Sequence, residues 1–526
     1  MNNLKHLMVL LFLLHAANGY SQNQAPVISG LHAWADVPNN MLHVFYDVSD
    51  TEGEDVEIYL GVSSNTTVFS VSTSGATGDI GYPVIVGAGK EIIWDYGTSH
   101  PNILDYQVRV TADDRYQIDI QSIVDQVDTM NLYQDLQWMS AGVRDHATGL
   151  SLLTATKDSI TDRFNTLGFE VVTQAFFFSG DSGHNVIGRK PGVVEDSITF
   201  INDAHYDAVP AGPGADDNGS GVVGFLEAAR ILAPYNFRKS IRFIGFDMEE
   251  EGLIGSYNYV YNGGIEPWEE IAGVFNYEMI GYYSERPNSQ QLPPGFDIIF
   301  PDAADSLAAH NGAGDFITNV GSDSAVWLTG QYDSISRIYV PELRIISLIA
   351  PGNGAATVDL RRSDHAYFWD EGIEAVMLSD GANFRNINYH TPNDVMDSLN
   401  FDFMGNNVKA VVANLCVLAG IQHSDVAYVD VSPDALGTED NVLEAAQLHI
   451  YPNPTNDHVL ISVSGADSDA DYHLEIIDEA GRLVVRRSVK LSAGELTLDV
   501  SKWDAGVYNV TVRSPGFSLS QNMIVQ

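Results

Sequence analysis

The chain has 526 residues, too many for one ordinary domain, and 45% of them are hydrophobic, a composition that allows a large buried core. Its 26 basic residues stand against 70 acidic ones, a formal net charge of −44. A surface this acidic repels phosphate backbones and anionic lipid headgroups, so we expect no nucleic acid and no membrane surface among its partners.

The first segment, Met1–Gln22, is typical of a secretory signal peptide. Lys5 supplies a positive start, Leu7–Leu14 an apolar centre, and Ala16–Gly19 a small-residue exit. The alternative is a membrane anchor, but the apolar run is too short to span about 30 Å of hydrocarbon. We therefore expect an exported chain without stable membrane insertion.

The segment 25–114 is rich in β-branched and turn residues. Strand-like runs at Leu42–Tyr46, Val56–Leu60 and Tyr106–Val110 are separated by Gly, Asp, Asn and Ser. This spacing predicts a β-sandwich of immunoglobulin or fibronectin type. The acidic stretch Asp47–Asp55 is interpreted as a solvated turn, with calcium binding as the alternative.

From residue 116 to 424 short apolar strands alternate with helical stretches. Ile198–Ile201, Ile241–Phe246 and Val274–Tyr277 are examples of such strands, and Gly221–Leu232 of a helix. The alternation predicts an α/β domain whose largely parallel central sheet has helices on both faces. In such sheets active sites lie at the carboxyl ends of the strands.

A linker is predicted at 429–444, where Pro433 and Gly437 lie among acidic residues, and 448–526 is again strand-like. Cys416 is the only cysteine of the chain and lies in an apolar helical pattern, so we expect it to be buried and inert. Cysteine-protease chemistry and cysteine-bound zinc are thereby excluded, and any metal must be held by His, Asp and Glu.

Five polar clusters follow the predicted strands of the α/β domain. Each alone has an ordinary explanation, such as a structural histidine, helix capping by aspartates or a solvated acidic surface. Together they supply two histidines and several acids to one edge of a sheet, which suits two divalent ions bridged by a carboxylate. Imidazole with carboxylate favours zinc or a neighbouring transition metal. The clusters are His205 with Asp207, Asp216 with Asp217, Glu249–Glu251, Glu278, and His390.

The segments AHYDAV, PGADDNGSG, RFIGFDMEEEGLIGS, NYEMIGY and YHTPND resemble metallopeptidase family 28, which includes leucyl aminopeptidases and glutamate carboxypeptidases. The resemblance implies a zinc exopeptidase fold, two zinc ions and peptide substrates. It implies one role for each matching residue. His205, Glu250, Glu278 and His390 would each bind a metal ion, and Asp216 would bridge the two ions. Glu249 would be the general base, and Asp207 would support His205.

Glu278 departs from the family pattern, because many members have an aspartate there. Its side chain is one methylene longer, so we expect the strand to lie farther back or the metal to shift. The stretch Ser363–Ala366 also resembles the family, near the substrate pocket, without an assigned role.

The C-terminal segments LHIYPNP, DEAGRLV and AGVYNVTV resemble the type IX (Por) secretion sorting domain. This resemblance implies recognition by the type IX machinery, export through the periplasm and outer membrane, and removal of the tail. The alternative is an accessory β-sandwich that binds substrate.

The sequence thus predicts a secreted zinc aminopeptidase that uses a metal-bridging water and Glu249. Three alternatives remain. A carboxypeptidase of the same family would use Arg361 or Arg362 to hold the substrate carboxylate. A glutaminyl cyclase typically has one zinc, and the presence of both His205 and Asp216 argues against it. A non-catalytic binding protein would be expected to lack ligands.

Overall fold

The structure is a computed structural model that describes residues 23–64, 68–433, 448–463, 471–478, 482–490, 495–514 and 517–526. The predicted signal peptide Met1–Gln22 and residues 434–444 of the predicted linker lie outside the described residues. Within them, no helix is long and apolar enough to cross a membrane.

The N-terminal segment is built from strands alone, apart from short 3-10 turns. In β2 every second residue is buried, because alternate side chains point to the same face of the sheet. Leu42, Val44 and Tyr46 therefore belong to one hydrophobic core. The strands are β1 Val27–Asp36, β2 Met41–Ser49, β3 Val56–Ser63, β4 Thr77–Gly78, β5 Gly81–Val84, β6 Gly87–Asp95 and β7 Gln107–Asp113.

The middle segment is mixed α/β. Its helices are α1 Ile120–Val124, α2 Thr129–Met139, α3 Leu150–Thr166, α4 Gly221–Leu232, α5 Ile254–Tyr261, α6 Phe296–Ile299, α7 Pro301–Ala309, α8 Val326–Tyr339, α9 Ala366–Asp370 and α10 Phe401–Leu418. Its strands are β8 Glu170–Phe178, β9 Asp181–Lys190, β10 Glu195–His205, β11 Asn236–Phe237, β12 Lys239–Phe246, β13 Glu270–Tyr277, β14 Ile317–Ser322, β15 Ile345–Ala350, β16 Ala375–Ser379 and β17 Ile421–Gln422, and β18 Ser424–Pro433 follows the segment.

Eight strands of this segment form one sheet in the order β15-β14-β16-β13-β10-β12-β9-β8. The centre is parallel, since β10 pairs in parallel with β12 and β13, and β13 with β16. Antiparallel pairs flank it, β14 with β16 on one side and β8–β9–β12 on the other. The sheet is therefore mixed, with the parallel arrangement confined to its centre and to the β14–β15 pair.

Helices cover the sheet because their apolar residues match its apolar strands. Nearly every residue of α4 is buried, and the side chain of Asn400 caps α10 by accepting a hydrogen bond from the N–H of Phe403. Cys416 in α10 is buried within the same core. A second core lies on the other face of the sheet.

The predicted linker begins too early, because residues 424–433 form β18. This strand pairs antiparallel with β7 and, through residues 431–433, in parallel with β1. Ala427, Val429 and Val431 alternate along it and pack on the core of the N-terminal strands. The acids and Pro433 masked this alternation. The middle segment thus lies between two strands of one β domain.

The C-terminal strands are β19 Leu448–Tyr451, β20 His458–Val463, β21 Asp471–Asp478, β22 Leu483–Lys490, β23 Glu495–Asp499, β24 Gly506–Ser514 and β25 Phe517–Val525. They form a three-stranded and a four-stranded sheet that share one apolar core.

Candidate metal centre

Two groups of side chains able to hold a metal ion lie beyond the carboxyl ends of the central strands. The parallel register aligns His205 with Phe246 and Asp203 with Asn276, so the residues that follow β12 and β13 reach the same edge of the sheet as His205. Within each group the ligand atoms lie within 4.8 Å of one another. The groups are His205, Glu249 and Glu278, and Asp217, Glu250 and His390.

Asp217 connects the two groups. Its Oδ1 lies 3.4 Å from Nε2 of His205, and its Oδ2 lies 3.0 Å from Nε2 of His390. Oε2 of Glu278 is 3.5 Å from the same nitrogen of His205, and Oε2 of Glu250 is 3.3 Å from that of His390. One carboxylate therefore faces both histidines, as a bridging ligand requires.

The prediction that Asp216 is the bridging carboxylate is wrong. Its Oδ1 accepts a hydrogen bond from the N–H of Gly281 at 3.0 Å and its Oδ2 one from the side chain of Asn386 at 2.7 Å. Asp216 and Asp217 are adjacent in the turn 215–220, and their side chains contact different partners. Asp216 supports the turn, and Asp217 reaches the histidines.

Glu249 belongs to the first group, and its Oε2 lies 3.9 Å from Nε2 of His205. Asp207 holds this region together, because its two carboxylate oxygens accept the N–H groups of Glu249 and Glu250, each at 3.1 Å. The Nδ1 atom of His205 lies 3.2 Å from the carbonyl oxygen of Asp207 and 3.4 Å from its Oδ1. Asp207 therefore orients the imidazole and both glutamates.

The carboxylate of Glu278 is held by a hydroxyl group. Ser363 donates a hydrogen bond of 2.7 Å to Oε2 of Glu278, the oxygen that faces His205. The stretch Ser363–Ala366, which had no predicted role, thus begins with a residue that supports a candidate ligand. Asp364 and His365 are buried next to it.

The donor set fits zinc. A tetrahedral zinc ion with bonds of about 2.0–2.1 Å holds its ligand atoms about 3.3 Å apart, and the four distances between carboxylates and histidines are close to that spacing. Nε2 of His205 and Oε1 of Glu250 are buried and have no hydrogen-bond partner within the described residues. Burial raises the pKa of Glu249 well above its usual range and that of Glu250 to about 7. A bound cation would favour the charged form of both carboxylates.

An apolar pocket adjoins Glu278. Val320, Leu348 and Met377 of β14, β15 and β16 line it on one side, together with Phe316 just before β14, and residues of α6 and α7 line the other. The rim is polar and consists of Asp359, Arg362, Asn383 and Tyr389.

The two arginines of the carboxypeptidase alternative lie in different surroundings. Arg361 forms two hydrogen bonds with Asp370, at 2.9 and 2.7 Å. Arg362 lies at the rim, where it donates to the hydroxyl of Tyr389 at 2.8 Å and to Asn383 at 2.9 Å. The ring of Tyr389 stacks on that of His390 with centroids 3.7 Å apart.

Asp394 is a second supporting residue that the sequence analysis missed. Its carboxylate accepts the N–H groups of Asp216, at 3.0 Å, and Asp217, at 3.1 Å, and so fixes the turn that presents Asp217. It belongs to the segment YHTPND, whose histidine was assigned and whose aspartate was not. An acid four residues after the assigned histidine, within the same recognised segment, was the available signal.

Comparison with known proteins identifies the family. Residues 185–336 match the model of peptidase family M28. The uncharacterized protein YfbL of Escherichia coli is 30% identical over 281 residues, covering 51% of this chain and 81% of that protein. Aminopeptidase YwaD of Bacillus subtilis is 42% identical over 106 residues, which cover 20% of this chain and 23% of that protein, less than a quarter of its length. The chain belongs to peptidase family M28, and it is a peptidase.

Solved structures resemble this chain only distantly. The LapA aminopeptidase of Legionella pneumophila is 20% identical, covers 57% of this chain and 74% of its own, and has a TM-score of 0.43. Residues 449–526 match the secretion system C-terminal sorting domain. The chain therefore carries a signal for export by type IX secretion to the cell surface or the extracellular space.

Proposed function

We propose that the protein is a secreted aminopeptidase that holds two zinc ions and removes large apolar residues from the N-termini of peptides. The observation that carries the proposal is the shared carboxylate of Asp217 between two histidine–carboxylate groups beside an apolar pocket. His205 and Glu278 would hold one ion, His390 and Glu250 the other, and Asp217 both.

The chemistry divides between the metals and the chain. Zinc bound here would lower the pKa of a coordinated water and polarise the scissile carbonyl. Glu249 takes the proton of the attacking water on its carboxylate and delivers it to the nitrogen of the leaving amine. Asp207 holds the backbone of Glu249, so this carboxylate stays aimed at the site. The hydroxyl of Ser363 holds the carboxylate of Glu278, and the carboxylate of Asp394 holds the backbone N–H of Asp217.

Two features support an aminopeptidase over a carboxypeptidase. The rim of the pocket carries Asp359, and its negative charge attracts the ammonium group of a free N-terminus and repels a free carboxylate. Arg362 lies at the rim and already donates to Tyr389 and Asn383, with Asp359 at 3.8 Å. The walls of the pocket are apolar, which suits a large apolar side chain.

The Glu249→Gln substitution tests the assignment of Glu249 as the general base. Glu249→Gln keeps the size of the side chain and removes its proton acceptor, so we expect turnover to fall about 100- to 10,000-fold while zinc content stays near that of the unaltered protein. Glu251→Gln is the matched control, because Glu251 is the exposed neighbour of the pair. Equal loss of zinc and turnover in Glu249→Gln would contradict the assignment.

A peptide panel tests the substrate end. Peptides with Leu, Phe or Ala at the N-terminus are compared with their N-acetylated and C-amidated forms, and release of free amino acids is measured. Block by acetylation alone supports the proposal. Block by amidation alone identifies a carboxypeptidase, and cyclisation of N-terminal glutamine without release identifies a cyclase.

We further propose an arrangement of domains and a route of export. Residues 25–114, together with β18, would form a β domain, 116–424 the peptidase domain and 448–526 the sorting domain. Met1–Gln22 would direct the chain to the periplasm and be removed there. The sorting domain would then be recognised by the type IX machinery and cut off after export.

A further inference from the structure

Arg144 is fully buried below the candidate metal centre and donates to four backbone carbonyl groups. Its Nε donates to Tyr206 at 2.9 Å, and its Nη2 to Gly214 at 2.9 Å. Its Nη1 donates to Met139 at 3.1 Å and to Pro213 at 2.6 Å. A buried guanidinium that binds only carbonyls is unusual, since buried charges are generally paired with an opposite charge.

The four carbonyls belong to the segments that present the metal-binding side chains. Tyr206 stands between His205 and Asp207, and Pro213 and Gly214 immediately precede the turn that carries Asp217. Met139 ends α2, a fixed element of the core. The N–H of Ala208 also binds the carbonyl of Arg144 at 2.8 Å. One side chain therefore joins the His205 segment to the Asp217 turn.

The space around Arg144 is closed. A Cβ atom at Gly214 would lie 3.3 Å from its Nη2 and 2.2 Å from the carbonyl oxygen of Asp217, and Gly214 has a φ of 59°, in the left-handed region. Glycine at 214 lets the turn approach the guanidinium. In the described residues no carboxylate oxygen lies within 4.0 Å of Arg144, so the contact is with the backbone alone.

Resting on the proposed two-zinc site, we propose that Arg144 is a positioning residue that sets the distance between His205 and Asp217 and thereby the affinity of the site for zinc. The contacts it makes are directional and join two segments distant in sequence. A lysine can reach fewer carbonyls from one nitrogen, and a methionine can reach none.

A competing role would be that of a counter-charge for the acids of the centre. Burial lowers the pKa of Arg144 to about 10, while Asp394, Asp207, Asp217 and Glu250 act against that shift, so the group is charged at neutral pH. The two roles have opposite consequences. Loss of the charge alone removes repulsion of a dication and strengthens zinc binding, whereas loss of the hydrogen bonds weakens it.

The test measures the zinc dissociation constant of the full chain by chelator competition, together with the Co²⁺ absorption spectrum of the site. We expect affinity to fall about 10-fold in Arg144→Lys and about 100-fold in Arg144→Met, the range for residues that orient ligands, with altered Co²⁺ bands in both. Arg242→Lys is the matched control, because Arg242 is another buried arginine that binds Tyr259 and Gly264 away from the centre. It should lower the melting temperature and leave the dissociation constant unchanged.

Each other outcome overturns the inference. Unchanged affinity in Arg144→Lys with higher affinity in Arg144→Met would assign the counter-charge role. Equal behaviour of the Arg144 and Arg242 variants would make the role one of stability, as would failure of both Arg144 variants to fold. Absence of zinc binding in the unaltered chain would overturn the proposed function as well, which distinguishes the two failures.

Discussion

Asp216 and Asp217 are neighbours in one turn, yet the first carboxylate binds the N–H of Gly281 at 3.0 Å and the second faces the imidazole of His205 at 3.4 Å. The same pair of residues therefore has one member that supports the turn and one that faces the candidate metal site.

Exchange of each aspartate for asparagine separates these roles. We expect Asp217→Asn to lose at least one of two zinc ions and more than about 100-fold in kcat/KM, beyond the range of residues that only support a ligand. Asp216→Asn should keep both ions and lose about 1–3 kcal/mol of unfolding free energy through its altered hydrogen bonds. Zinc content, steady-state kinetics and denaturant unfolding of both variants check this. The reverse pattern would restore Asp216 as the bridge.

The apolar pocket predicts a preference for large apolar N-terminal residues, and a larger side chain in the pocket wall should weaken that preference. Val320 is buried in the pocket wall, so Val320→Phe should reduce kcat/KM for Leu and Phe substrates at least about 10-fold relative to Ala, the discrimination expected from a few methylene groups. Val326→Phe is the control, because Val326 is exposed on α8. An unchanged ratio of Leu to Ala cleavage in Val320→Phe would place the substrate side chain elsewhere.

His365 predicts a dependence of stability on pH. Nε2 of His365 lies 2.9 Å from the carbonyl oxygen of Leu360, and Nδ1 lies 3.2 Å from the side-chain amide oxygen of Asn276. Burial lowers the pKa of His365 to about 3. The contact with Leu360 opposes this shift, and the charge of Arg361 adds to it. Its pKa in the unfolded chain is about 6.5. The unfolded state therefore binds the extra proton between these values, and stability is lost as the pH falls below about 6.5, by about 1.4 kcal/mol per pH unit.

His365→Gln lacks this titration, so its unfolding free energy should approach that of the unaltered chain as the pH is lowered from 7 to 5. His32→Gln, at an exposed position, is the control for the loss of a histidine. Denaturant unfolding at each pH measures both differences. Parallel curves for His365→Gln would show that His365 is not neutral in the fold.

The position of β18 predicts where the chain can be shortened. A chain that ends at Pro433 keeps the pairing of β18 with β7 and β1, whereas one that ends at His423 exposes both strands and removes Val431 from the core. We expect the shorter chain to melt at a lower temperature and to show faster hydrogen exchange in β1 and β7. Equal exchange in the two chains would mean that β18 contributes nothing to the domain.

The sequence predicted the features that depend on order and composition. Polar residues after apolar strands indicated that His205, Glu250, Glu278 and His390 meet, because carboxyl ends of parallel strands share an edge of a sheet. It could not choose between Asp216 and Asp217, since the direction of each side chain depends on the backbone of the turn.

Two further features had weak or absent signals. In β18 the alternation of Ala427, Val429 and Val431 was present but was outweighed by acids and Pro433. Arg144 binds carbonyl groups, which every residue has, so no partner residue type in the sequence could reveal it. Ser363 lay in a recognised segment, but only the structure shows which side chain it contacts.

The return of the chain to the N-terminal sheet has a mechanical consequence. The C-terminal part of the chain follows β18, whose hydrogen bonds with β7 and β1 run across the direction of that strand. A pull on the C-terminal end would load these bonds together in shear before any tension reached α10 and the catalytic sheet. The β domain would then bear the mechanical load, and the metal-binding edge of the sheet would keep its geometry while force acts on the tail during export.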